Sequence, residues 1–125
     1  LKQCHWHHPS EHTINGQQYP LELHLVHQTD DNEIAVIGII YKNGTQDHFL
    51  TMLQDAIDKI ANQTQVDLSS MNATQIGIGR NESYYRYNGS LTTPDYTEGV
   101  TWTVMRNMRT VTQEQVDSLR KALNW

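Results

Sequence analysis

His5 and His7 stand two apart in Gln3-Cys4-His5-Trp6-His7, and His24 stands in Glu22-Leu23-His24-Leu25-Val26-His27. In an extended strand, residues two apart share a face. His5 and His7 therefore share a face with Gln3, and His24 shares one with Glu22, Val26 and Gln28. If the two segments lie side by side as strands, three imidazoles converge on one point. Three neutral imidazoles with an open fourth position are the ligand set of a catalytic zinc site. Metal-bound imidazoles also need an acceptor for the outer ring N–H. Gln3 on the His5 face and Glu22 on the His24 face supply such acceptors, which a chance group of surface histidines would lack.

The rest of the pattern predicts what holds these residues. Residues 2–8 read as a strand broken at Pro9-Ser10, and Asn15-Gly16 is a turn signal. Residues 19–28 form the next strand, with Leu21, Leu23 and Leu25 facing away from His24. The polar cluster 29–32 is a turn. Ile34–Lys42 is a near-continuous apolar run, as for a strand covered on both faces, and Asn43-Gly44 ends it. Short connections make these three strands an antiparallel meander. Over 48–61 the period changes: Phe49, Leu50, Leu53, Ala56, Ile57 and Ile60 mark an amphipathic helix. Residues 62–83 are polar and read mostly as loop, with a short strand at Ile76 and Ile78. Tyr84, Tyr85 and Tyr87 lead into a turn at Asn88-Gly89, then a loop over 91–99. Residues 100–108 read as a strand with Val100, Trp102 and Val104 on one face. Thr112 and Gln115 form a capping box that opens a helix through Val116, Leu119 and Leu123. The expected class is mainly β with peripheral helices (α+β), one domain over residues 1–125.

Composition excludes some partners. Nine Lys and Arg against fourteen Asp and Glu give a net charge of −5, with no basic run for nucleic acid. No apolar stretch reaches membrane-spanning length. The single cysteine, Cys4, cannot form a disulfide within these residues; it falls on the strand face opposite His5 and His7, and burial there is expected. Five Asn-x-Ser/Thr triplets, at Asn43, Asn62, Asn72, Asn81 and Asn88, suggest a glycoprotein of the secretory pathway. Its location would then be extracellular, or a compartment reached through that pathway.

Several blocks occur in order: Gln3-x-His5-x-His7, Ser10-Glu11-His12-Thr13, Tyr19-x-x-Glu22-Leu23-His24-Leu25-Val26-His27, Ala35-Val36-x-Gly38, Tyr87-x-Gly89-Ser90-Leu91-Thr92-Thr93-Pro94 and 97–104. Together they resemble the α-carbonic anhydrase family, above all its secreted plant members, which include carbonic-anhydrase-like storage proteins. The resemblance implies part of that family's large, twisted, mostly antiparallel central sheet. It implies zinc-dependent reversible hydration of carbon dioxide to bicarbonate, and sensitivity to sulfonamide-type inhibitors. His5, His7 and His24 match its zinc ligands, and Glu11 and Thr92 match the pair that orients the zinc-bound hydroxide. Val26, Val36, Leu91, Val100 and Trp102 match the apolar wall where carbon dioxide docks, and Thr93 a polar position at the mouth. His12 and Tyr87 match buried structural residues.

Departures are equally specific. The chain opens in the first ligand strand, so the N-terminal half, with its usual proton-shuttle histidine, and the closing strands are expected to be missing from these residues. Asp95-Tyr96 stands where secreted members carry Pro-Cys, so the disulfide that the resemblance implies has no partner here. His8-Pro9 is unusual after the second ligand. Two other readings follow from the residues. One is a storage or binding glycoprotein with the fold kept and turnover weak. The other is a cupin-type metal protein, since His5-x-His7-x₃-Glu11 resembles the first cupin motif; Glu11 would then be a ligand, but no second cupin motif follows.

Overall fold

The computed structural model describes residues 2–59 and 82–123. Strands β1 (Gln3–His7), β4 (Leu21–Gln28) and β5 (Ile34–Asn43) form the antiparallel meander, with a small hairpin of β2 (Thr13–Ile14) and β3 (Gln17–Gln18) around Asn15-Gly16. Helix α1 (His48–Lys59) follows, then β6 (Tyr84–Ser90), β7 (Glu98–Met105), β8 (Arg109–Val111) and helix α2 (Gln113–Leu123). The main sheet runs β1-β4-β5-β7-β6, and β8 also pairs with β5. Its β1–β4, β4–β5 and β6–β7 ladders are antiparallel, and the β5–β7 and β5–β8 ladders are parallel.

Period-two alternation gives the sheet two different faces. Cys4 and Trp6 of β1, Leu21, Leu23 and Leu25 of β4 and Ile39 and Tyr41 of β5 face the helices. There they pack with Phe49, Leu50 and Leu53 of α1 and Val116, Leu119 and Ala122 of α2. Fully buried leucines such as Leu21 and Leu23 each contribute about 1.5–3 kcal/mol. The opposite face carries a second cluster of Val26, Val36, Val100 and Trp102, beside the histidines. Helix α2 opens on the expected box, in which the Gln115 amide donates to Thr112 Oγ1 (3.2 Å) and the Thr112 amide to Gln115 Oε1 (3.3 Å).

Three expectations are corrected. Asn88-Gly89 is strand, not turn: β6 runs through it, paired to β7 as Asn88↔Thr101 and Gly89↔Val100. The glycine answers a packing demand, since a Cβ there would lie 2.9 Å from the Tyr87 ring and 3.1 Å from the Trp102 indole. Residues 100–108 are not one strand. Strand β7 ends at Met105, and after a jog β8 resumes farther along β5, opposite Tyr41–Asn43. Tyr87 is not buried but 44% exposed, because β6 is the outer strand on that side of the described sheet. The expected strand at Ile76 and Ile78, most of the 62–83 loop, Ile60 and the sequons at Asn62, Asn72 and Asn81 lie outside the described residues, as do the side chains of Ala56, Ile57 and Leu123.

Candidate metal centre

Strands β1 and β4 place His5 directly opposite His24, and Gln3 and His7 opposite Val26 and Glu22, so all six side chains lie on one face of the sheet. The donor atoms of His5, His7 and His24 lie within 4.8 Å of one another. Their outer contacts fix where the lone pairs point. His5 Nδ1 lies 2.8 Å from Gln3 Oε1, so its N–H donates there and Nε2 is bare. His24 Nε2 donates to Glu22 Oε2, which leaves Nδ1 bare. These two bare nitrogens face each other at 3.3 Å. His7 Nε2 is buried without a hydrogen bond, although Glu11 Oε1 is 3.2 Å away. Two bare imidazole nitrogens facing each other, with His7 Nε2 close by and a carboxylate beside them, leave a place for an electrophile. That donor chemistry fits zinc, with the fourth position open to the cleft.

Electrostatics agree. Burial, then the neighbouring His24 and His7, push His5 down from 6.5 to about 4, so it is neutral at ordinary pH. Burial also lowers His7. For Glu22 burial acts to raise the carboxyl, but hydrogen bonds from His12 and His24 outweigh it and hold the group well below the usual carboxylate range. The second His-rich group, His12, Glu22 and His24, is spent internally: Glu22 Oε1 accepts the His12 amide (2.8 Å) and Oε2 accepts His12 Nδ1–H (2.6 Å) as well as His24.

The loop after β6 brings the other half of the site. The Trp102 indole N–H donates to Ser90 O (3.0 Å), and the Leu91 and Tyr96 amides donate to Thr97 O (2.9 Å) and Thr93 O (2.7 Å). So held, Thr92 Oγ1 donates to Glu11 Oε1 across 3.0 Å. Glu11 Oε1 is also 3.8 Å from His24 Nδ1. The three histidines share a cleft of about 360 Å³ with Val26, Val36, Leu91, Thr92, Thr93 and Trp102. Val100 does not reach the cleft surface; it is fully buried behind this wall. Lys2 and Ile34 line the cleft without having been singled out in the sequence, and Gln28, expected on the His24 face, lines it too. Ile34 shares a strand face with Val36, but only the pairing of β5 with β4 brings that face to the cleft. His8 instead contacts Pro20 O (2.7 Å), His27 contacts Leu25 O (3.1 Å) and His48 is exposed at the start of α1; none joins the cluster.

The family model for eukaryotic-type carbonic anhydrase matches residues 2–125. The chain belongs to the eukaryotic-type carbonic anhydrase family. Alpha carbonic anhydrase 4 of Arabidopsis thaliana is 45% identical over 124 residues, spanning 99% of this chain and 46% of the relative. Dioscorin dioA3 of Dioscorea japonica is 41% identical over 126 residues, again 99% of this chain and 46% of the relative. The chain thus spans about half the length of these relatives. A Thermovibrio ammonificans α-carbonic anhydrase, solved with the inhibitor sulfanilamide, superposes with a TM-score of 0.80 at 34% identity, covering 98% of this chain and 54% of that one. The carbonic anhydrase fold expected from the motifs is therefore shown, and the cupin reading is overturned.

Proposed function

We propose that this carbonic anhydrase domain takes part in zinc-dependent, reversible hydration of carbon dioxide to bicarbonate and a proton. The observation that carries the reading is the convergence of three imidazole donor atoms, from His5, His7 and His24, beside the Thr92–Glu11 pair. When bound, zinc supplies Lewis acidity that brings the pKa of a water down to about 7. Thr92 gives its only hydroxyl proton to Glu11, so toward the cleft Oγ1 can only accept. An attacking oxygen is then held with its own O–H on Thr92 and a lone pair turned to the cleft. Val26, Val36, Leu91 and Trp102 give an uncharged substrate an apolar wall, and Thr93 adds a polar group at the mouth.

The test is metal content with a hydration assay on the intact protein. One zinc per chain and hydration abolished by a sulfonamide are expected. A protein that takes up no zinc and shows no hydration sinks the reading. The dioscorin relative favours a second reading, a storage or binding protein with weak turnover; full zinc loading with negligible hydration would select it. We also propose a secretory-pathway glycoprotein, supported by the exposed Asn43 and Asn88 sequons. A mass loss on endoglycosidase treatment of the native protein is expected.

A further inference from the structure

Alternation along β1 would turn Lys2 toward the helix-covered face, with Cys4 and Trp6. It lines the cleft instead. Lys2 lies one residue ahead of β1, so only its backbone keeps the frame of the strand: its amide donates to Val26 O at 2.7 Å. The exposed side chain crosses to the cleft side, where Nζ donates to Gln28 Oε1. Gln28 is fixed in turn, since its Nε2 donates to Asn32 Oδ1 (3.1 Å) in the turn between β4 and β5. Both of these partners are uncharged amides, so what places the ammonium does not neutralise it. Among the described residues Lys2 forms no salt bridge. One of its three N–H groups goes to Gln28, and two remain for a ligand.

The charge around it is otherwise unfavourable to an anion. The chain carries a net charge of −5, Glu11 stands beside the histidines, and His5 is held neutral by burial and its neighbours. Among the described residues lining the cleft, Lys2 is the one lysine or arginine. We propose that Lys2 makes the mouth of the cleft a binding site for small monovalent oxyanions, with Nζ donating to the anion while Gln28 holds it in place. On the carbon dioxide reading above, bicarbonate is such an anion and its neutral partner is not. The choice of bicarbonate rests on that reading; the site does not. The wall of Val26, Val36 and Leu91 suits the neutral molecule, and Lys2 the charged one. Lys2 therefore tightens the binding of product and adds little to the docking of carbon dioxide.

In the intact protein stripped of metal by a chelator, nitrogen NMR of the Gln28 side-chain amide is expected to follow a bicarbonate titration to saturation. Lys2→Gln is expected to raise the dissociation constant about threefold, the scale of one exposed charge contact. Lys2→Arg is expected to keep it near the wild-type value, and higher ionic strength to erase the difference between wild type and Lys2→Gln. After zinc loading, inhibition of hydration by nitrate, an oxyanion that does not react, is expected to weaken by the same factor in Lys2→Gln. No saturable shift in the wild type, equal dissociation constants in wild type and Lys2→Gln, or a loss that Lys2→Arg does not restore overturns the proposal. So does a difference that persists at high salt, which would belong to the shape of the side chain and not to its charge. A wild-type protein that takes up no zinc and shows no hydration would instead defeat the zinc reading, and the metal-free titration would still decide the role of Lys2.

Discussion

Glu11 and Thr92 are 81 positions apart, yet one hydrogen bond of 3.0 Å joins them beside the three histidines. Thr92→Val keeps the shape and removes the donor. It is expected to lower hydration about 100-fold, as for a misoriented reactant, with zinc content unchanged by metal analysis. His5 gives a pH prediction for the metal-free protein. Its folded pKa of about 4 lies below 6.5, so between these values the unfolded chain binds more protons. Stability is full above about 6.5 and falls as pH drops toward 4; urea midpoints across that range will show it. The clustering of His5, His7 and His24 was legible because strand period two sets the face of each. Lys2 and Ile34 were not, because membership of the cleft depends on which strands become neighbours. Glu11 and Thr92 were legible only through resemblance, since nothing local links residues so far apart.

Among elements, β1 is the outer strand beside β4, and two of the three candidate ligands ride on it. A bound ion would cross-link β1 to β4. Removing zinc with a chelator is expected to speed amide exchange in β1 far more than in β5, which has strands on both sides. The helices are joined by Gln115. Its Oε1 accepts the Asp47 amide (2.8 Å), and its Nε2 donates to Asp47 O (3.0 Å) and Thr51 Oγ1 (3.3 Å). Gln115→Ala leaves these buried groups unpaired and is expected to cost about 3 kcal/mol by chemical denaturation. The capping role of Gln115 was legible at a spacing of three; its bridge to α1, across 68 positions, was not. Strand β6 was misread because it has no apolar alternation. Its tyrosines are exposed, and Arg86 and Arg106 cover the Tyr84 and Tyr85 rings at 4.7 and 5.1 Å.

Over the whole molecule, one sheet separates a helix-covered core from a cleft, and the site lies on the cleft side. The meander was legible because its turns are short and local. The parallel β5–β7 contact was not, because it joins strands far apart in sequence. Ligand linkage belongs at this scale. Zinc at 1,000 times its dissociation constant is expected to add about 4 kcal/mol to unfolding, a rise in melting temperature that chelation reverses in calorimetry. The pairing of His5 with His24 has a last consequence, for assembly. If β1 docked one residue out of step, Cys4 and Trp6 would turn to the cleft, and His5 and His7 would enter the apolar layer where Trp6 stacks on Phe49. A bound ion would thus proofread strand frame: a correctly set chain would capture it, and a mis-set copy would stay empty and identifiable.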